Sequence, residues 1–165
     1  MKPKARAEQR ASIMWSTDSA SQKLGIQIGS IAPGFSKLSM PIQRDMLNGL
    51  GICHGGFIFT LADSALAFAS NSYNVRTVAQ QLQITYVQPV QVQDILIAVA
   101  SEITRTGRSA TYDVNVTCRK GHKIALLRGL TRTHTVTLLD DAFVAGAPPE
   151  GAGAAPSFFS ASWDS

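Results

Sequence analysis

Asn48-Gly49-Leu50-Gly51-Ile52-Cys53-His54-Gly55-Gly56-Phe57-Ile58-Phe59-Thr60-Leu61-Ala62-Asp63-Ser64-Ala65-Leu66-Ala67 is the stretch on which the fold of this chain turns. It lies inside thirty residues, 46–75, whose one formal charge is Asp63. Phe57, Ile58, Leu61, Ala62, Ala65, Leu66 and Ala69 recur at helical spacing, which predicts a helix largely enclosed by the rest of the protein. Gly55 and Gly56 open it: they turn tightly and leave backbone N–H groups uncovered. The first N–H groups of a helix have no internal acceptor and sit at the positive end of its dipole, so a carbonyl oxygen or oxyanion is well received there. Asp63 lies about 12 Å further along the axis at 1.5 Å per residue. A buried carboxylate is costly unless it is paired, hydrogen-bonded or held neutral. One helix cannot bring its own N-terminus and its own Asp63 to a single atom, whereas a second copy running antiparallel across a two-fold axis can.

Outward from the helix, the chain reads as strands. Residues 24–31 and 35–40 flank the turn dipeptide Pro33-Gly34. After the helix, 80–87 alternates Leu82, Ile84 and Tyr86 against Gln81, Gln83 and Thr85. In 94–104 Ile95, Ile97, Val99 and Ile103 share a face. Residues 109–119 alternate most cleanly, Ala110, Tyr112, Val114, Val116 and Cys118 against polar partners, and 123–133 follows a Lys120-Gly121 turn. One long helix among about six antiparallel strands predicts an α+β domain with the helix on one sheet face. The expected organisation is an N-terminal segment at 1–20, a short helix around 7–16 or disorder, then a domain at 21–139, then an Ala, Gly, Pro and Ser tail at 140–165 read as flexible.

At 165 residues and 45% hydrophobic, the chain can bury a core without staples. Cys53 and Cys118 are far apart, and His54, His122 and His134 are scattered, so neither a disulfide framework nor a metal site is expected. The net charge of +4 without a long basic run does not call for nucleic acid and suits an anionic small molecule. The basic start lacks the apolar run of a secretory signal; its poverty in acids leaves a transit peptide as the alternative. The apolar part of the helix is shorter than the roughly 20 residues that span a bilayer. A soluble, cytoplasmic protein is expected.

The pattern Asn48-Gly49 … His54-Gly55-Gly56 … Phe59 … Leu61-Ala62-Asp63 resembles the hotdog-fold acyl-CoA thioesterases, specifically the phenylacetate-degradation (PaaI-type) group. The resemblance continues through Ile84-Thr85-Tyr86-Val87-Gln88-Pro89, Asp94-Ile95-Leu96 and Gly107-Arg108, and covers residues 20–135. It implies a helix wrapped by a curved sheet, and hydrolysis of an aromatic acyl-CoA to acid and CoA. It also implies homo-oligomers, a dimer or a tetramer of hotdog dimers, and no metal or redox cofactor.

By the same resemblance Asp63 is the general base or the nucleophile, Gly55 donates its N–H to the oxyanion, and Asn48 bonds the carbonyl or the water. Read from the residues alone, Asp63 is also a structural acid bonded to neighbouring backbone or to Ser64 and Thr60, and Asn48 a loop-capping residue of an Asn-Gly turn. His54 is set aside as a base, having no local nucleophile signature, and is placed with Gly56 at the glycine loop, shaping it or touching substrate. Seven basic residues from Arg105 to Arg132 face one acid, Asp113. Arg108 is taken as the candidate for the phosphates of CoA. Relatives carry a Ser or Thr near the strand after the helix; here Gln80 stands in for it. The competing readings are a non-catalytic acyl-CoA-binding module, which needs no Asp63, and a hydroxyacyl dehydratase, which needs a catalytic His.

Overall fold

The structure is a computed structural model that describes residues 1–137, with side chains through residue 134. The tail expected at 140–165 lies outside the described residues. Two N-terminal helices, α1 (Pro3–Thr17) and α2 (Ser19–Lys23), precede strands β1 (Gln27–Ala32) and β2 (Phe35–Pro41). Helix α3 (Gly55–Ser70) is followed by β3 (Val75–Tyr86), β4 (Ile95–Thr106), β5 (Ser109–Cys118) and β6 (Lys123–Thr137). The six strands form one antiparallel sheet in the order β1-β2-β4-β5-β6-β3, and it does not close on itself. The α+β fold with a central helix on a six-stranded sheet is as the periodicity predicts. Residues 1–20 are helical over most of their length, and α1 buries Ala7 and Ala11 against the body.

Close approach of α3 to the sheet is set by small residues. Ala98, Ala100 and Ala125 are fully buried beneath it, with Leu61, Ala62, Ala65 and Leu66 facing down. At Gly129 on β6, an added Cβ would overlap the Leu66 side chain and lie 2.7 Å from Leu82 Cδ2, so a larger residue there would have to displace both leucine side chains. Ser36 Oγ donates to the Ala65 carbonyl at 2.6 Å, tying β2 to the middle of the helix.

Two strands differ from their sequence reading. In β4 the buried face is Leu96, Ala98 and Ala100, whereas Ile95, Ile97 and Val99 occupy the opposite, half-buried face and Ile103 is exposed. β3 begins at Val75, five residues before the alternation that announced it. Its early part is held by Asn71 at the helix end, whose side chain donates to the Thr77 carbonyl at 2.9 Å and accepts the Thr77 N–H at 3.0 Å.

Within the described residues β3 pairs with β6 alone. It is a twelve-residue edge whose Val78 and Tyr86 are each more than two-fifths exposed. Long, bare, partly apolar edges invite another strand.

Candidate active site

The loop before α3 closes on itself. Asn48 N–H donates to the Ile52 carbonyl at 2.8 Å, Leu47 bridges Cys53, and His54 N–H reaches back to Met46 at 2.8 Å. The Asn48 side-chain oxygen accepts the N–H groups of Leu50 (2.9 Å) and Ile52 (3.4 Å). Its loop-capping role is therefore realised, and it engages the oxygen alone; the Asn48 amide nitrogen makes no hydrogen bond among the described residues. Cys53 N–H is bound by the Val90 carbonyl at 2.9 Å, which fastens the loop to the segment after β3.

His54 is the N-cap of α3: its Nδ1 accepts the Gly56 N–H at 3.0 Å. Nδ1 therefore carries a lone pair, and the ring proton sits on Nε2. Gly56 N–H is thereby consumed, and Phe57 N–H is taken by the His54 carbonyl at 3.0 Å. The Gly55 N–H alone of these first three has no acceptor among the described residues. A residue not assigned to the site from sequence completes this corner. Tyr86, the last of β3, donates its hydroxyl to the Gly55 carbonyl at 2.8 Å. Its ring lies so close that a Cβ on Gly55 would sit 2.9 Å from Tyr86 Cζ.

Asp63 is half-buried two turns along, and desolvation raises its pKa above the ordinary carboxylate value. The hydroxyls that a structural acid would use are engaged elsewhere. Thr60 Oγ1 donates to the Gly56 carbonyl at 2.9 Å, and Ser64 Oγ pairs with Ser21 Oγ at 3.2 Å. The Asp63 carboxylate has no hydrogen bond or ion pair among the described residues. Cys53 is buried and its thiol is pushed up to about 11 by desolvation, which is the opposite of an activated nucleophile.

Asn48, His54, Gly55 and Gly56 thus share one corner, and the remaining candidates do not join it within the protomer. Gln80 is exposed at an irregularity of β3, between the pairs Ala79↔Thr131 and Gln81↔Leu130. Arg108 lies at the far end of the sheet. It precedes Ser109, which pairs with Arg132 and through it with Val78, eight residues or roughly 27 Å of strand from Tyr86. Of the seven basic residues from Arg105 to Arg132, four are engaged. Arg128 grips Asp113 (2.6 and 2.7 Å), Arg105 grips Glu102 (2.7 Å), Lys123 reaches Asn115 (3.2 Å) and Arg132 reaches Ser109 (3.3 Å). Arg108, Arg119 and Lys120 keep uncommitted head groups among the described residues. No group of three or more His, Cys, Asp or Glu among the described residues is placed to hold a metal, and no described helix is long and apolar enough to cross a membrane.

Comparison with known proteins converges on one group. Residues 50–125 match the model of the thioesterase superfamily. The acyl-coenzyme A thioesterase PaaI of Escherichia coli is 36% identical over 124 residues, which cover 75% of this chain and 89% of that protein. The structure of the E. coli PaaI protein, from the phenylacetic acid degradation operon, superposes with a TM-score of 0.81 at 33% identity, covering 82% of this chain and 99% of that one. A mutant of the phenylacetic acid degradation protein PaaI from Thermus thermophilus gives a TM-score of 0.67 at 34% identity, over 70% of this chain and 98% of that one.

Proposed function

This chain belongs to the thioesterase superfamily, in its PaaI-like branch, and from that premise we propose that it hydrolyses acyl-CoA thioesters to free acid and CoA in the cytoplasm. The observation that carries the reading is a pair of groups about 12 Å apart on one helix: a Gly55 N–H without an acceptor and an Asp63 carboxylate without a partner among the described residues. Both are what a reaction at a carbonyl requires, and neither is used by the fold. The gap between them is bridged by a second subunit. Two copies of β3 paired antiparallel would extend the sheet and set the two α3 helices side by side in opposite directions. Gly55 and Asn48 of one subunit would then face the partner subunit's Asp63.

The thioester carbonyl is received by the Gly55 N–H and the Asn48 amide nitrogen, with the dipole of α3 behind them. Asp63, ionised, removes a proton from the water that adds to the carbonyl carbon, or attacks that carbon itself to form an acyl-aspartyl anhydride that water then hydrolyses; in either case the C–S bond breaks and the thiolate of CoA departs. An aromatic acyl group such as phenylacetyl is the substrate class we propose, in keeping with the phenylacetic acid degradation operon that encodes the E. coli relative. A further pairing of dimers is supported by the outer sheet face. There half-buried Ile97 and Val99 lie beside a depression of about 270 Å³ lined by Gln83, Thr85, Asp113, Asn115, Leu126 and Arg128.

Release of CoA thiol from phenylacetyl-CoA tests the activity, and mixed subunits test its architecture. Asp63→Asn and Asn48→Ala proteins, each impaired alone, are unfolded together and refolded. Random pairing leaves half of the dimers with one intact site, so about a quarter of native turnover returns. A mixture no more active than its parents means that each site lies within one subunit.

A further inference from the structure

We propose that the Tyr86 hydroxyl is a positioning group for this site, holding the Gly55–Gly56 peptide by its carbonyl while His54 holds the same peptide by its N–H, so that the neighbouring Gly55 N–H stays aimed at the acyl carbonyl. The inference rests on the thioesterase reading and adds to it a residue that the reading does not require.

Two hydrogen bonds meet at one peptide unit. The carbonyl of Gly55 accepts from Tyr86 Oη at 2.8 Å, and the N–H of Gly56 is accepted by His54 Nδ1 at 3.0 Å. These two groups are opposite ends of the single plane that joins Gly55 to Gly56. The free donor, Gly55 N–H, hangs from the preceding plane, whose His54 carbonyl accepts the Phe57 N–H at 3.0 Å, and the only rotations between the two planes are those of Gly55, the most permissive residue type. An oxyanion donor works because it is already oriented before charge develops. A glycine that is free to swing forfeits that advantage, and fixing the adjoining plane at both ends restores it.

The tyrosine is built into the corner from two directions. Its ring fills the space that a side chain on residue 55 would need, which ties the choice of glycine to the presence of the ring. Its hydroxyl remains protonated across the working range, because burial, and then the field of the nearby Cys53, raise its pKa above the ordinary tyrosine value. Tyr86 is also the final residue of the edge strand, pairing with Ala125, and so couples the tip of β3 to the first residue of α3 across 31 positions of sequence. The strand proposed to pair with a second subunit thus ends on the catalytic peptide.

The test begins with Tyr86→Phe, which keeps the ring and removes the hydroxyl. Turnover is measured with the acyl-CoA that the native protein cleaves fastest, alongside the melting temperature and the affinity for free CoA. The expected result is a fall in kcat of about 3- to 10-fold, the size of one neutral hydrogen bond, with KM, CoA affinity and Tm little changed. His54→Asn retains a side-chain acceptor at the N-cap and is expected to outperform His54→Ala. The combination of Tyr86→Phe with His54→Ala is expected to lose no more than the worse single variant, since both act on one peptide. Losses that multiply would overturn the proposal, as would a Tyr86→Phe protein with native kcat or one whose only defect is a lowered Tm. A native protein that releases thiol from no acyl-CoA would remove the thioesterase reading and this proposal with it. Native turnover with an indifferent Tyr86→Phe would remove this proposal alone.

Discussion

The two ends of α3 treat their polar groups in opposite ways. At the C-terminal end Asn71 and Ser72 are bonded on all sides. The Asn71 amide nitrogen donates to Ala67 and Thr77 while its oxygen takes the Thr77 N–H, and Ser72 Oγ donates to Ala69 and accepts from Gly34. Nearby, Glu102 accepts from both Arg105 (2.7 Å) and Tyr112 (2.6 Å), and the Arg105 guanidinium lies 4.1 Å from the centre of the Tyr73 ring. These bonds hold Glu102 below its ordinary value against the burial that would raise it. Among the described residues the Gly55 N–H at the N-terminus and the Asp63 carboxylate at mid-helix have no such partners, and the adjacent β3 edge pairs with β6 alone. Both groups are half-buried, and a partly desolvated polar group without a protein partner adds nothing to the protomer's stability. The contrast separates the anchor from the site.

The sharpest way to break this contrast is Asp63→Asn. Turnover is expected to fall by about 10² to 10⁴-fold, the range of a lost general base, while stability moves the other way. Desolvation raises the folded-state pKa of Asp63 above its unfolded value. Its contribution to stability is therefore full below the ordinary carboxylate pKa and is lost as pH rises through the raised value. At neutral pH the native protein carries that cost and the Asn variant does not, so the variant melts higher, and the difference shrinks as pH is lowered into the carboxylate range. The same shift places the acid limb of kcat/KM above the ordinary Asp value. Thermal scans over pH and a pH–rate profile check both signs; a variant that melts lower at neutral pH would make Asp63 part of the anchor.

Asn71→Ala attacks the other end. It strips a bridge that satisfies both the N–H and the carbonyl of nearly buried Thr77. Unsatisfied buried groups cost roughly 1–3 kcal/mol each, so a loss of about 2–4 kcal/mol in urea unfolding is expected. Turnover per folded molecule should stay near native. A selective loss of kcat with unchanged stability would mean that the C-terminal end also takes part in the chemistry.

What was legible from sequence follows the same division. Helix α3, β4, β5 and the later part of β3 declare themselves through periodicity, a property of neighbouring residues, and β1, β2 and β6 through the turn residues beside them. The early part of β3 does not, because Val75–Ala79 is held by Asn71 and by β6 rather than by its own alternation. The buried face of β4 was hidden for a different reason. Both faces are apolar, and the larger residues Ile95, Ile97 and Val99 lie on the outer one, while the core needs alanines beneath the helix. At the site, the Asn48-to-Asp63 spacing was visible because it is local. The Tyr86 contact with Gly55 was not, since it spans 31 residues and no motif marks a hydroxyl aimed at a carbonyl.

The smallest expected effect bears on which end of the sheet serves which site. Arg108 is far from Gly55 of its own subunit, but antiparallel pairing of two β3 edges would lay its end of the sheet beside the partner subunit's Gly55. Arg119 and Lys120 sit instead at the β5–β6 turn, which is at the Tyr86 end of the same protomer: Val87 N–H donates to Ile124 at 2.8 Å, and Thr117 pairs with Lys123. All three cations are uncommitted among the described residues, so local chemistry does not choose among them. Geometry does, once the subunits pair. With Arg108 on the phosphates of CoA, Arg108→Ala raises KM by about 2- to 5-fold at low salt, the worth of one exposed ion pair, and the effect fades as ionic strength rises. Arg119→Ala leaves KM near native. The opposite ranking would put the phosphate contact on the same subunit as Gly55, and the sheet end that carries Arg108 would then belong wholly to the anchor.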